Sequence, residues 1–308
     1  MTLPVYSRSE LAGLGVSDQS IRRAVAAGRT RRIRPGAYVD ARDWDAASIE
    51  QRQAAAALAT LRASRGPLVL AGITAAALHG LPLFRVRDER VHVLCHADRV
   101  TAKNAFVVRH EVPFTDDDLT EIDGMTVTSL DRTLYDVIRA LPPESGVAIT
   151  DAALARCGPD ADALRERLRR RIAGSPGARG IRRAREVIEF ADPRAGSPLE
   201  SGSRWFLFVL GFRDVQIQVP FPGPQGSEYL LDFRFRRGIG EVDGTAKYRD
   251  PVFLAGRTPE QALIDEKRRE DWIRGRTQEP FARWMDRDMP NPRALGTLLA
   301  SFGIRPPG

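Results

Sequence analysis

The 308-residue chain carries a formal net charge of +7, with 43% hydrophobic and 28% charged residues, and its mean hydropathy is −0.30. It contains no run of about 18 apolar residues and no apolar signal segment, which argues against the membrane-spanning and secreted classes. We therefore expect a cytoplasmic protein with no membrane partner. The length predicts two or three domains, and the positive charge favours a polyanionic partner such as double-stranded DNA. Cys95 and Cys157 lack metal-ligand spacing and are expected to be free thiols.

The first 40 residues predict two short helices followed by a basic hairpin. A capping box at Ser7–Glu10 opens the first helix, and Ser17 caps a second helix that ends at Gly28. Two short strands follow on either side of a turn at Pro35-Gly36, where glycine suits the third position of a type II turn. This order is typical of a winged helix-turn-helix, in which the second helix enters the major groove and the wing contacts the backbone or minor groove.

Arginine dominates this segment, because residues 1–40 carry seven arginines against three acids. Cations clustered in this way bind phosphates and release counterions from DNA. The alternative interpretation is an ordinary solvated charged surface. The predicted DNA-binding residues are Ser17, Gln19, Arg22 and Arg23 on the second helix and Arg31, Arg32 and Arg34 on the wing.

The segment Ser7–Val39 resembles the winged-helix domain of the AbiEi family of type IV antitoxins. The matching positions are Gly15, Ile21, Gly28, Arg32, Gly36, Ala37 and Tyr38. Such domains usually carry another helix before the capping box, where this chain has only Met1 to Tyr6. We therefore expect the hydrophobic core of this predicted DNA-binding segment, called the reader below, to depend on the residues that follow it.

Residues 42–195 predict a middle α+β domain with helices at 48–63, 71–81 and 129–136 and strands near 68–70, 91–94 and 106–109. The patterns Thr74–Leu81 (TAAALHGL) and Thr128–Asp136 (TSLDRTLYD) resemble the same antitoxin family. Its four histidines, His79, His92, His96 and His110, are interpreted as structural, because the carboxylates that orient metal-bound imidazoles are lacking. The arginine run 165–185 is interpreted as the wet face of two helices, with phosphate contact as the alternative.

Residues 196–308 predict a helix capped at Ser197, a strand at 215–219, a hairpin of strands at 230–235 and 239–243, a helix from Thr258, a strand at 281–285 and a helix at 292–302. Period two places Glu241 and Asp243 on one face of the hairpin, and Asp232 is expected to face the same way. Carboxylates this close repel unless a divalent cation lies between them, and oxygen ligands suit Mg²⁺ or Mn²⁺.

Only three of the 47 basic residues are lysines, and one of them, Lys247, follows the carboxylates. An ammonium is a compact charge whose pKa burial can shift, so arginine does not replace it at a catalytic position. Lys247 is therefore a candidate to polarise a phosphate or orient a water for phosphodiester hydrolysis. The alternative interpretation is a set of surface charges at a hairpin end.

Residues 197–288 resemble the very-short-patch-repair-like branch of the PD-(D/E)xK nuclease fold. The resemblance rests on Ser197–Ser201, Asp232, Glu241–Gly244, Lys247-Tyr248 and Glu266–Asp271. It implies Asp232 and Glu241 as metal ligands and Glu200 as the acid of the first helix, although Glu200 also suits a helix cap. The lysine that usually follows the glutamate by two residues is here Asp243, so activity requires Lys247 to supply the amine from a shifted position.

We therefore expect an α/β multidomain chain. The predicted domains are a winged helix-turn-helix at 1–41, an AbiEi-like α+β domain at 42–195 and a PD-(D/E)xK-like α/β domain at 196–308. The expected function is a DNA-binding transcriptional regulator of the type IV antitoxin kind, which represses its own operon and neutralises a nucleotidyltransferase-like toxin. The alternative is a Mg²⁺- or Mn²⁺-dependent DNA endonuclease with Glu200, Asp232, Glu241, Asp243 and Lys247 at its site.

Overall fold

A computed structural model describes residues 3–95, 104–244 and 258–307. The chain divides into two compact units, one of residues 1–150 and 162–189, the other of residues 151–161 and 190–308. The division into three domains stays a prediction. Lys247 and His96 lie outside the described residues.

The first unit begins with a small antiparallel sheet and two helices. Its elements are β1 (Tyr6–Ser7), α1 (Arg8–Gly13), α2 (Asp18–Ala26), β2 (Thr30–Arg34) and β3 (Ala37–Asp40). The strands are ordered β1-β3-β2. The side chain of Ser7 accepts from the backbone of Glu10, and Ser17 caps α2. Gly36 has a φ of 81°, the left-handed conformation that the predicted turn requires of its third position. The local elements of this segment therefore follow the sequence prediction.

The core under this sheet is completed by later residues, as expected for a reader of this size. Val5 and Val39 pack with Trp44 of α3 (Ala41–Ala46) and with Ala55 and Ala59 of α4 (Ile49–Ala63). Trp44 is 4% exposed and Val39 is 1% exposed. Burial of one large aromatic and several small side chains stabilises such a core by several kcal/mol at roughly 25 cal/mol per Å². The first three strands consequently depend on α3 and α4 for their apolar contacts.

A five-stranded mixed sheet forms the centre of the rest of this unit, with the order β6-β5-β4-β8-β7. Its strands are β4 (Val69–Leu70), β5 (Val91–Cys95), β6 (Val107–Glu111), β7 (Leu119–Ile122) and β8 (Met125–Thr128). The β4–β8 and β5–β6 pairs are parallel, and the other two pairs are antiparallel. The accompanying helices are α5 (Gly72–Leu78), α6 (Leu130–Ala140), α7 (Pro143–Cys157), α8 (Ala161–Ala173) and α9 (Ile181–Phe190). The boundary between the units falls within α7, whose residues from Asp151 onward belong to the second unit.

The TSLDRTLYD motif contributes structural contacts at the start of α6. The Thr133 hydroxyl donates to the Thr128 carbonyl at 3.0 Å. Arg132, with its side chain 7% exposed, pairs with Asp118 at 2.7 Å and with Asp136 at 2.9 Å. Arg171 binds the other oxygen of Asp118 at 2.7 Å. The motif therefore fixes α6 to Asp118, the buried acid that directly precedes β7. Arg132 and Arg171 share this acid.

The histidines of the first unit also make structural contacts. A ring nitrogen of His79, Nε2, lies 2.8 Å from the Thr128 carbonyl. His110 Nε2 lies 3.0 Å from His92 Nδ1. Burial, with a smaller contribution from His110, lowers the pKa of His92 to about 4, and burial lowers the pKa of His110. The imidazole of His92 is thus uncharged at neutral pH.

The second unit contains a four-stranded sheet with the order β12-β11-β10-β9. Its elements are α10 (Pro198–Val209), β9 (Gln216–Pro222), β10 (Glu228–Arg234), β11 (Ile239–Val242), α11 (Pro259–Thr277), β12 (Phe281–Trp284) and α12 (Pro292–Ser301). The β9–β10 and β10–β11 pairs are antiparallel, whereas β11 and β12 are parallel. Leu231, Ile239 and Phe281 of the sheet pack with Ile273 of α11. This packing places the helix against one face of the sheet.

Two further sequence predictions can be compared with the fold. Cys95 and Cys157 are free thiols, as predicted. Within the described parts of the chain, no helix is both long enough and apolar enough to span a bilayer.

Replacing Arg132 with methionine should destabilise the first unit by about 3 kcal/mol, because Asp118 would keep only one of its two buried counter-ions. Urea unfolding monitored by circular dichroism measures the loss. Arg185→Met, which removes an exposed arginine from α9, is the control and should change stability by less than about 0.5 kcal/mol. Equal effects of the two substitutions would contradict the structural role of the motif.

Candidate functional site

The predicted DNA-contacting side chains of α2 lie on its exposed surface. Ile21 is the buried residue of this helix, at 5% exposure, and it faces the core. Gln19, Arg22 and Arg23 are exposed. Ser17 is exposed as well, but its hydroxyl accepts from the Ser20 amide at 3.2 Å and therefore serves the helix cap. The helix thus presents one polar and two cationic side chains to solvent.

The three predicted wing arginines differ in their exposure. Arg31 and Arg32 are exposed, and Arg31 forms a 3.5 Å ion pair with Asp45. The β2–β3 register shifts between Arg32 and Arg34, so the alternation of side chains is interrupted there. Arg34 is half-buried beside a cavity of about 220 Å³ that Trp44 also lines. Burial lowers the pKa of its guanidinium. Arg34 is therefore less accessible than Arg31 and Arg32, and its contact with DNA stays a prediction.

The carboxylates of the second unit come from three elements. Glu200 lies on α10, Asp232 on β10 and Glu241 on β11, and they are 5%, 8% and 4% exposed. The antiparallel pairing of Phe233 with Gly240 brings Asp232 and Glu241 to neighbouring positions of the sheet. Asp232 Oδ2 accepts from the Val242 amide at 2.8 Å. The structure thus brings the first three predicted acids into one buried region.

Glu200 has the helix-cap role that was the alternative to catalysis. Its Oε1 accepts from the Ser197 hydroxyl at 2.9 Å, and its Oε2 accepts from the Gly196 amide at 2.9 Å. The Gln218 side-chain amide donates to the same Oε2 at 2.7 Å. Burial and the nearby charge of Asp232 raise the pKa of Glu200. Glu200 therefore joins α10 to β9 and remains electrostatically coupled to Asp232.

Gln218 is a site residue that the sequence interpretation did not select. It lies within β9 but has a φ of 51°, a left-handed conformation that is strained for a residue with a side chain. The regular β9–β10 pairing is interrupted at this point, opposite Asp232. The distortion accompanies the hydrogen bond from Gln218 to Glu200. The alternation of Gln216 and Gln218 with apolar residues was the available signal.

Arg269 of α11 is a second residue that was missed, and it contacts Glu241 directly. Its Nη1 and Nη2 donate to Glu241 Oε2 and Oε1 at 2.8 and 2.9 Å. Nη2 also donates to the Leu230 carbonyl. Burial, followed by the charge of Asp232, raises the pKa of Glu241 to about 7, and these effects exceed the opposing effect of Arg269. Both oxygens of the predicted metal ligand are therefore bound by a guanidinium.

Asp243 has a different arginine partner. Its Oδ2 lies 3.2 Å from Nε of Arg283 on β12. Arg283 also pairs with Glu266 at 3.0 Å and with Glu270 at 3.5 Å, both on α11. Glu266 and Glu270 of α11 thus pair with an arginine of the sheet. Lys247 lies outside the described residues, so its catalytic role stays a prediction.

The three predicted hairpin acids do not converge on one metal position in the part of the chain that the structure describes. Mg²⁺ demands octahedral oxygen coordination, and it is usually bound by one or two carboxylates together with several waters. No group of three or more His, Cys, Asp or Glu side chains in residues 3–95, 104–244 and 258–307 is placed to hold a metal ion. Asp232 and Glu241 do not form such a group with Asp243. Arg269 pairs with Glu241, and Arg283 pairs with Asp243.

A cavity of about 1040 Å³ opens beside this cluster. Its charged lining residues are the acids Glu228, Asp232, Glu241, Asp265, Glu266 and Asp271 and the bases Arg268 and Arg269. Acids therefore outnumber bases among the lining residues. Such a lining does not by itself attract nucleic acid phosphates.

One protein-family model matches residues that lie mainly in the first unit. Residues 69–190 match the model of the AbiEi antitoxin C-terminal domain. This match covers the five-stranded sheet and the motif-bearing helices α5 and α6. It supports the antitoxin resemblance of the middle region.

The chain is also similar to two proteins and to one solved structure, each at less than 30% identity. Two proteins of Mycobacterium tuberculosis, Uncharacterized protein MT2308 and Uncharacterized protein Rv2248, are each 28% identical over 230 residues, which is 70% of this chain and 80% of the relative. The crystal structure of the RV2827C protein from Mycobacterium tuberculosis is similar at 18% identity and a TM-score of 0.37, over 65% of this chain and 76% of that chain.

Burial of Glu241, followed by the charge of Asp232, should make the second unit less stable as pH rises. Because the pKa of Glu241 is raised from 4.5 to about 7, stability contributed by its protonated form is complete below pH 4.5 and is lost as pH approaches 7. This shift corresponds to roughly 3 kcal/mol. Asp232→Asn should reduce that loss, as measured by chemical unfolding at pH 5 and pH 7.5.

The matched control for this experiment is Asp271→Asn, which removes an exposed carboxylate from α11. Its stability should follow the wild-type pH dependence. If Asp232→Asn follows the wild-type curve as well, Asp232 does not control the protonation of Glu241.

Proposed function

We propose that this protein is a cytoplasmic DNA-binding transcriptional regulator of the type IV antitoxin kind. The observation that carries the proposal is the match of residues 69–190 to the AbiEi antitoxin C-terminal domain. In the same unit, a helix–turn–helix and a hairpin precede the matched region and present exposed arginines. The proposal includes repression of the protein's own operon.

The reader is proposed to place α2 in the major groove. The helix begins at Asp18, and the burial of Ile21 sets which face of the helix packs on the core. Arg22 and Arg23 are therefore exposed to solvent. Their guanidinium groups have the planar donor geometry that recognises guanine. Gln19, in the first turn, has the amide donors and acceptors that recognise adenine. This arrangement supports sequence-specific binding by α2.

The hairpin is proposed to contact the DNA backbone as a wing. Arg31 and Arg32 are exposed on β2 and carry permanent positive charges. Such contacts supply affinity and positioning without reading bases. The proposal rests on these two arginines, because the side chain of Arg34 is half-buried. The proposed reader therefore uses two arginines on the helix and two on the wing.

Neutralisation of a nucleotidyltransferase-like toxin is the second part of the proposal. It rests on the antitoxin family match and is independent of DNA binding. Coexpression of this chain with a nucleotidyltransferase-like toxin from a neighbouring gene should restore growth, including for a chain whose DNA-binding arginines are replaced. If neither the wild-type chain nor the arginine variant restores growth, the proposed toxin neutralisation is wrong and the proposed DNA binding is unaffected.

The endonuclease alternative is not part of the proposal. Both oxygens of Glu241 bind Arg269, and Asp243 pairs with Arg283. These contacts favour internal neutralisation of the acids. A cleavage assay on supercoiled plasmid with MgCl₂ or MnCl₂, with Lys247→Arg as a variant, tests the alternative separately.

Reversing the two wing charges, Arg31→Glu and Arg32→Glu, should weaken binding to duplexes from the region upstream of the gene. It should also flatten the dependence of log K on log salt by about 0.9 per lost phosphate contact. Fluorescence anisotropy across a series of KCl concentrations measures both quantities. The control, Arg293→Glu with Arg305→Glu, makes the same charge change at exposed positions of the second unit. Equal losses in the two double variants would refute the wing.

Alanine at Arg22 or Arg23 should reduce the preference for the upstream duplex over an unrelated duplex of equal length. A bidentate arginine–guanine contact contributes about 1–3 kcal/mol of discrimination, or roughly a 5- to 150-fold ratio. Competition titrations with both duplexes give that ratio. If affinity falls equally for both duplexes, the two arginines bind phosphates and α2 does not read the sequence.

A further inference from the structure

The guanidinium of Arg269 lies beside the buried acids Asp232 and Glu241, whose negative charges require a cation nearby. Its two terminal nitrogens bind the two oxygens of Glu241 at 2.8 and 2.9 Å, in the parallel fork geometry that arginine and carboxylate favour. The charge of Asp232 also stabilises the charged form of Arg269. One side chain thus provides positive charge to two buried carboxylates.

Several contacts hold Arg269 in this position. Its own helix is anchored to the sheet by Ile273, which is 0% exposed, and the Trp272 indole donates to the Pro222 carbonyl at 2.9 Å. The guanidinium donates to the Leu230 carbonyl and lies 5.7 Å from the centre of the Tyr229 ring. The side chain is therefore fixed by the helix, a strand carbonyl and an aromatic ring.

The chemistry of arginine makes this counter-ion permanent. A guanidinium remains protonated throughout the pH range in which proteins fold, so deprotonation cannot remove its charge. A divalent ion that bound Glu241 would have to displace the fork and leave the guanidinium without its buried partner. Arg283 holds Asp243 in a comparable way, at 3.2 Å. Glu241 in β11 and Asp243, which follows this strand, are therefore both paired with arginines.

We propose that Arg269 takes the place of the divalent cation, so that the Asp232–Glu241 cluster is neutralised internally and excludes Mg²⁺ and Mn²⁺. The inference goes beyond the proposed DNA-binding function and does not depend on it. It assigns Arg269 to the site as the residue that determines which cation the acids accept. The observation behind it is the occupation of both Glu241 oxygens by one guanidinium.

The experiment titrates MnCl₂ into the full chain and measures bound Mn²⁺ by electron paramagnetic resonance of the free ion. The variants are Arg269→Met, which keeps the apolar stem, and Arg268→Met, the control that removes a neighbouring exposed arginine of the same cavity. Arg269→Met should bind Mn²⁺ at least about tenfold more tightly than the wild type, because breaking the buried pair no longer opposes the metal. Arg268→Met should bind as the wild type does.

Adding Glu241→Gln to Arg269→Met identifies the metal site, because the gained Mn²⁺ binding should then disappear. Wild-type binding of Mn²⁺ that Glu241→Gln abolishes would overturn the proposal, because the fork would not exclude the metal. A folded Arg269→Met variant that binds no more Mn²⁺ than the wild type would overturn it as well.

Arg269→Lys provides a second test if Arg269→Met fails to fold. It keeps the positive charge but loses the fork, so one Glu241 oxygen becomes available and Mn²⁺ should bind more tightly than in the wild type. Unchanged Mn²⁺ affinity in folded Arg269→Lys would contradict the role of the fork. Circular dichroism of each variant establishes that it is folded.

Discussion

Neutralisation of buried carboxylates by arginine is the constraint on which both units of this protein depend. A carboxylate that loses water must gain a counter-ion or a proton, since an unpaired buried charge costs several kcal/mol. In the first unit Asp118 is shared by Arg132 and Arg171. In the second, Arg204 binds Asp151 at 2.9 Å and Arg269 binds Glu241 at 2.8 Å. The scarcity of lysine in the sequence agrees with this use of the planar, bidentate guanidinium.

Most of the fold could be predicted from local signals. Helix starts at Ser48, Ser197 and Thr258 were readable because a cap needs only residues within three positions. The helix α7 and the strand β7 were missed, because neither begins with such a cap or alternates clearly in hydrophobicity. The half-burial of Arg34 was not predictable, because a register shift that no short pattern reveals interrupts the alternation of β2.

The site was predictable in its acids but not in its cations. Asp232 and Glu241 are hairpin neighbours, so strand periodicity was enough to bring them together. Arg269 is 28 residues from Glu241 and reaches it only through the packing of α11 on the sheet. A charge-rich helix seen alone suggested pairs along its own surface. The same charges, placed against buried acids, change a predicted metal site into an ion-pair cluster.

The shared core of the reader has a consequence for how this fold can be recombined. Val39 is sealed by Trp44, and Val5 belongs to the same cluster as Ala55 and Ala59 of α4. A fragment that ended after β3 would expose these apolar contacts to water. The helix α4 also carries Ala57 into the core of the five-stranded sheet, so the two cores share this helix. A fragment that ended at Ala63 would leave that second face of α4 uncovered. Insertions and crossovers between the wing and α4 are consequently costly, even though this stretch contains loops.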